Sequence, residues 1–125
     1  MEKNDSIEGK IFYGWLNNLA MYEQQLQHLL QTLNHANYKE LETDATIELD
    51  ALKELINTQQ TEISNLTAEV LKRRNQLVPV NDPDNNVIPF SRIIRNNHLR
   101  EQIRKVERSV FYLKYHVNKL LSIAS

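Results

Sequence analysis

The amino-acid sequence predicts an all-α fold, an up-down-up antiparallel three-helix bundle with coiled-coil-like packing. The 125 residues contain only two glycines and three prolines, which leaves little turn material for a β-sheet protein. Apolar residues also recur at alternating spacings of three and four in three long stretches, a pattern that lines one side of a helix. We therefore expect one helical-bundle domain over residues 1–125, with helices at about 6–35, 38–77 and 92–124 and a Pro/Asn-rich loop at 78–91.

Capping residues set the expected limits of the first helix. Asp5 and Glu8 have the spacing of a capping box, in which each side chain bonds the backbone N–H of the other residue. Asn37 and Glu40 repeat this spacing, so the first helix should end near His35 and the second should fold back antiparallel after a short turn. The apolar seam of the first helix consists of Phe12, Trp15, Leu19, Tyr22, Leu26, Leu29, Leu33 and Ala36.

The second helix is predicted from residues 38–77, a stretch without proline or glycine. At ~1.5 Å per residue it would extend about 60 Å. One polar residue, Gln59, interrupts its apolar seam. The apolar members of this seam are Ala45, Leu49, Leu52, Ile56, Ile63, Leu66, Val70 and Leu77.

The third helix follows a loop that contains all three prolines. Pro79, Pro83 and Pro89 cannot continue a helix, because proline lacks the backbone N–H and its ring clashes with the preceding turn. We expect the next helix to begin near residue 92. Its seam consists of Leu99, Ile103, Val106, Val110, Leu113, Val117, Leu120 and Ala124.

Counting outward from a turn just after the first helix predicts which seam residues meet. Tyr22 should lie beside Leu52 and Leu113, and the indole N–H of Trp15 should donate a hydrogen bond to the side chain of Gln59. With this pairing, the first helix should be too short to reach the far end of the bundle. Two helices alone would cover the apolar residues at that end, which are Val70, Leu77, Ile93 and Ile94.

The loop offers a lid for that end of the bundle. If the lid does not close, the same residues form an exposed apolar patch that calls for a partner. The lid residues are Val78, Val80, Val87, Ile88 and Phe90.

Charge is strongly separated along the chain, although the formal net charge is only −1. Residues 1–71 hold four Lys/Arg against twelve Asp/Glu, whereas residues 72–108 hold nine against four. Antiparallel packing should gather the basic residues at one end, where they could bind phosphate groups. A solvated or intersubunit charged face is the simpler interpretation. The candidate anion-binding residues are Lys72, Arg73, Arg74, Arg92, Arg95 and Arg100.

Aromatic residues that leave the third seam point to a partner surface. Phe111 and Tyr115 lie four residues apart and face away from the seam, and aromatic residues are enriched at protein–protein interfaces. We therefore expect self-association or pairing with another helical protein. The candidate interface residues are Phe111, Tyr112, Tyr115, Leu71 and Phe90.

The chain carries no pattern typical of catalysis or of a cofactor site. It has no cysteine, no nucleophile elbow and no histidine with a glutamate three residues before it, as di-iron bundles require. The acidic row Glu40, Asp44 and Glu48 lies along one helix face, and a single helix cannot surround a cation with enough ligands. We expect no enzyme activity, no catalytic residue, no metal and no cofactor.

These observations favour a non-catalytic interaction protein, acting as an adaptor, assembly or regulatory module and forming a homodimer. The alternative is nucleic-acid or other anion binding through the basic end. The N-terminal residues lack the basic start and apolar run of a signal peptide, and no stretch reaches the ~18 apolar residues of a membrane span. We therefore expect a cytoplasmic protein without membrane insertion.

Overall fold

A computed structural model describes residues 7–35, 43–77 and 88–124. Each of its three helices packs against both of the others, and no strand occurs within these ranges. The prediction of an all-α three-helix bundle is therefore confirmed. The helices are α1, Ile7–His35; α2, Thr43–Asn75; and α3, Phe90–Ala124.

Helix α2 ends two residues before the predicted Leu77. The N–H of Gln76 donates to the carbonyls of Lys72 and Arg73 at 3.2 and 3.1 Å, and the N–H of Leu77 donates to the carbonyl of Arg74 at 3.2 Å. The bonds to Arg73 and Arg74 span three residues, so they tighten the last turn and satisfy carbonyls at the end of the helix.

Helix α3 begins at Phe90, two residues earlier than predicted. The backbone N–H groups of Arg92 and Ile93 donate to the carbonyl of Pro89 at 3.0 and 3.1 Å. Proline suits the start of a helix because its missing N–H would have no partner there. Pro89 therefore starts the third helix rather than only ending the loop.

Some predictions fall outside the described residues. They are the cap at Asp5, the seam position Ala36, the capping box at Asn37 and Glu40, the helical residues 38–42, and the lid residues Val78, Val80 and Val87.

The three predicted seams form the core. Trp15 and Ala45 lie half-buried at its edge, and the outward residues between seam positions remain largely exposed. The other described seam residues with an assigned burial are buried, as predicted: Phe12, Leu19, Tyr22, Leu26, Leu29, Leu33, Leu49, Leu52, Ile56, Ile63, Leu66, Val70, Leu77, Leu99, Ile103, Val106, Val110, Leu113, Val117 and Leu120.

The predicted pairing of α1 with the other two helices is wrong by about one heptad. Tyr22 hydrogen-bonds Glu107 rather than lying level with Leu113, and its neighbour Glu23 accepts a bond from Gln60, well beyond Leu52. A seven-residue repeat presents the same face after each shift of seven residues. The repeat therefore predicts which residues are buried but leaves open which partner each one meets.

This shift also removes the predicted contact between Trp15 and Gln59. The indole ring of Trp15 lies against Phe12, with ring centroids 5.6 Å apart. Gln59 instead lines a groove with Tyr112 and Ser109 between α2 and α3. The two residues belong to different levels of the bundle.

Helix α1 reaches the end of the bundle that we expected only two helices to cover. Phe12 and Glu8 line a cavity together with Leu77, and both Val70 and Leu77 are buried. Of the two described lid residues, Ile88 is half-buried and Phe90 is 75% exposed, so Phe90 does not close over this end.

Candidate interaction surfaces

The most exposed apolar surface of the described residues lies on the outer side of α3. We call Phe111, Tyr112 and Tyr115 the aromatic strip; their exposed fractions are 76%, 53% and 61%. The seam residues Val110 and Leu113 turn toward the core, which forces the intervening side chains outward. The strip is thus a direct result of aromatic residues placed off the seam.

His116 connects the two tyrosines of the aromatic strip. Its ring centroid lies 4.1 Å from that of Tyr112 and 5.1 Å from that of Tyr115, which it meets edge-on. The 5.1 Å separation lies within the usual range for paired aromatic rings, and the 4.1 Å separation is shorter than that range. Both tyrosine rings thus contact His116 while they stay more than half exposed to solvent.

An open groove extends the aromatic strip onto α2. It has a volume of about 440 Å³, and Tyr112 lies on its wall together with Leu55, Gln59 and Arg108. Leu55 is 43% exposed, so an apolar side chain of each helix borders the groove.

The remaining predicted interface residues, Leu71 and Phe90, do not join the aromatic strip. Leu71 is half-buried on α2. Phe90 and Phe111 are 21 residues apart on the same helix, a distance of about 32 Å at ~1.5 Å per residue. The five candidate residues therefore do not form one continuous patch.

The basic end contains a buried acidic residue that offsets its charge. The side chain of Glu8 is only 7% exposed, and it forms an ion pair with Arg92 and accepts a hydrogen bond from Asn96 at 3.0 Å. Arg73 donates to Asn96 at 3.4 Å and to Glu69 at 2.9 Å. Two of the six candidate anion-binding residues, Arg73 and Arg92, thus already have carboxylate partners within the chain.

The other candidate anion-binding residues face outward to different degrees. Lys72, Arg95 and Arg100 are exposed and Arg74 is half-buried. Arg95 lines a cavity of about 110 Å³ at the junction of the three helices, beside Arg73 and the Glu8 pair. The sequence thus correctly places basic residues of α2 and α3 together, but it does not reveal the carboxylate between them.

The position of Glu8 in the sequence contains an indication beyond its predicted capping role. Glu8 lies four residues before Phe12, so it occupies the next position of the α1 seam. A carboxylate at a buried seam position needs an opposite charge close by. That requirement, together with the basic stretch in α3, is the indication that could have predicted the pair.

Tyr22 is the buried polar side chain that joins α1 to the middle of α3. Its hydroxyl donates to Oε2 of Glu107 at 2.5 Å. Burial, followed by the hydrogen bond and the charge of Glu107, raises the pKa of Tyr22 to about 12. The hydroxyl therefore stays protonated near neutral pH and acts as a hydrogen-bond donor in the core.

Within the described part of the chain, no group of three or more His, Cys, Asp or Glu residues could hold a metal ion. None of the described helices is long and apolar enough to cross a membrane. No family model, curated protein or solved structure matches this chain.

Proposed function

We propose that this protein is a non-catalytic helical bundle that acts through protein–protein contacts, as an adaptor, assembly or regulatory module, and that it self-associates. The observation that carries the proposal is the exposure of the aromatic strip, Phe111, Tyr112 and Tyr115, on a helix whose opposite side already fills the core.

Large aromatic side chains contribute strongly to binding when a partner covers them. Each can bury 150–250 Å², and Tyr and Phe are enriched at the centres of interfaces. The strip contributes little to the core, which the seam of α3 fills from the other side. Solvent-exposed rings in this position therefore favour a role in association over a role in folding.

Sedimentation across about 1–200 μM, the range in which a modest interface dissociates, tests the proposal. We expect the wild type to approach twice the chain mass of 14.7 kDa and the double variant Phe111→Glu with Tyr115→Glu to remain at the chain mass. Tyr13→Glu is the matched control, because Tyr13 is a 55% exposed aromatic residue on α1. A wild type that stays monomeric throughout this range contradicts self-association.

The alternative function is anion binding at the basic end, favoured by the convergence of Arg73, Arg92 and Arg95 on one cavity. Fluorescence anisotropy with a labelled DNA duplex at low salt tests it. Binding should weaken as salt rises and should be lost when the exposed Arg95 and Arg100 are reversed to glutamate. Absence of binding by the wild type at low salt rules this alternative out.

A further inference from the structure

A second set of residues, spaced alternately four and three positions apart, lies along the outer side of α3. Its ends are apolar: Phe90 and Ile94 at the start, and Phe111 and Tyr115 toward the other end, with exposed fractions between 53% and 76%. We call the whole set from Phe90 to Tyr115 at this spacing the outer stripe. It lies opposite the core seam and, among the described residues, no other helix covers it.

The middle of the outer stripe is polar and charged. Its members are Asn97, Glu101, Arg104 and Arg108, all exposed. Within the helix, Glu101 pairs with Arg108 at 3.0 Å and with Arg104 at 4.0 Å. Alternating spacings of four and three are the geometry by which two helices form a coiled coil.

The apolar and polar positions of the outer stripe follow the same order from both ends, and reversal places Asn97 on Arg108. Reversing it about the point midway between Glu101 and Arg104 places Phe90 on Tyr115 and Ile94 on Phe111. The same reversal places Glu101 on Arg104. A second copy of α3 in antiparallel orientation would thus pair apolar with apolar at both ends and negative with positive at the centre.

One flank of the outer stripe also carries a complementary pair in this orientation. In an antiparallel helix pair, flanking positions of the same kind face each other across the seam. On one flank, Arg100 of each copy would face Glu107 of the other copy. Two-fold symmetry makes every such contact occur twice.

A parallel arrangement of two α3 helices lacks this complementarity. It would place Glu101 on Glu101, Arg104 on Arg104 and Arg108 on Arg108 of the second copy, and like charges at a helix interface are repulsive. The charge pattern therefore selects the antiparallel orientation.

We infer that two copies of this protein associate through the outer stripes of their α3 helices, packed antiparallel about a two-fold axis between Glu101 and Arg104. This inference rests on the proposed self-association and adds its geometry. The contact would be about 38 Å long, since it extends from Phe90 to Tyr115 at ~1.5 Å per residue. A strip of this size is at the low end for stable interfaces, so the dimer should be reversible.

Cysteine cross-linking tests the orientation, because the natural chain has no cysteine. Asn97→Cys and Arg108→Cys are made as separate variants, both at exposed positions. In the antiparallel dimer, position 97 faces position 108 of the second copy, whereas two copies of position 97 are about 16 Å apart. A disulfide needs Cα atoms within ~7 Å. Mild oxidation should therefore link the two variants when they are mixed and should link neither variant alone.

Charge reversal tests the outer stripe without cross-linking. Glu101→Arg and Arg104→Glu each place like charges across the two-fold axis, and each should weaken dimerisation by about tenfold. An equimolar mixture should recover the dimer, because the two variants carry opposite charges. Circular dichroism checks that each variant stays helical.

The outcomes separate this inference from the proposed function. Disulfides formed by each cysteine variant alone overturn the antiparallel geometry. A wild-type dimer that neither forms the mixed disulfide nor responds to charge reversal overturns the outer stripe as the interface and leaves self-association standing. A wild type that is monomeric at about 200 μM, above the dissociation range of an interface this small, overturns both.

Discussion

Replacing Glu8 by glutamine keeps the shape of a buried side chain and removes its negative charge. In the wild type this carboxylate pairs with Arg92 and accepts a hydrogen bond from Asn96. The amide of glutamine is a weaker acceptor for a guanidinium group, and Arg92 would then lose its opposite charge. We expect Glu8→Gln to destabilise the bundle.

The exposure of the two partners sets the size of the effect. Breaking a fully buried ion pair costs about 3–5 kcal/mol, whereas a solvent-exposed pair contributes about 0–1 kcal/mol. The side chain of Glu8 is 7% exposed and that of Arg92 is 39% exposed, so water still reaches the arginine. An intermediate loss of about 2 kcal/mol in the free energy of unfolding follows.

Urea denaturation measures this loss. For a domain of this size, about 2 kcal/mol lowers the midpoint by roughly 1 M at an unchanged slope. Glu69→Gln is the matched control, because Glu69 pairs with Arg73 at 2.9 Å but its side chain is 41% exposed. The control should lose less than about 0.5 kcal/mol. Equal, small losses in both variants would show that burial does not strengthen the Glu8 contact.

Three further substitutions test other parts of the bundle, each by the free energy of unfolding. The raised pKa of Tyr22 stabilises the wild-type fold below pH 10, and this contribution is lost between about pH 10 and 12 as the hydroxyl ionises. Tyr22→Phe should therefore lack this decrease in stability, and equal pH profiles of the two proteins would refute the assignment. Leu26→Ala, at a fully buried position, should cost about 3–5 kcal/mol against less than about 1 kcal/mol for the half-exposed Leu55→Ala. Gly14→Ala should stabilise α1 by about 0.5–1 kcal/mol, because alanine favours a helix more than glycine and no other part of the chain lies within 4 Å of the added Cβ. A loss of stability would mean that the site does not accept a methyl group.

The helical fold and its buried face were predictable because they depend on local pattern. Residues three and four apart lie on one side of a helix whatever they contact, so Leu19, Leu52 and Val110 could be assigned to the core from spacing alone. The exposure of Phe111 and Tyr115 followed from the same reasoning, since both lie between seam positions.

The contacts between helices were not predictable, because a heptad repeat is indifferent to shifts of seven residues. Spacing predicts Tyr22 at the level of Leu113, whereas Tyr22 lies beside Glu107. Spacing predicts Glu8 as a cap, whereas its partner Arg92 is 84 residues away in the chain. Side-chain pairs at such separations depend on tertiary packing, which spacing along the chain does not report.

The polar contacts of α1 have a consequence for how the bundle folds. Apolar seams would still meet if α1 slid by one heptad, but the bonds of Glu8 to Arg92 and of Tyr22 to Glu107 form in one alignment only. A misaligned bundle would bury a carboxylate and a hydroxyl without partners, which is costly. These two polar contacts therefore lower the free energy of the native alignment relative to alignments in which α1 is shifted by one heptad. Without them, the chain should refold through long-lived, compact species in which α1 is misaligned.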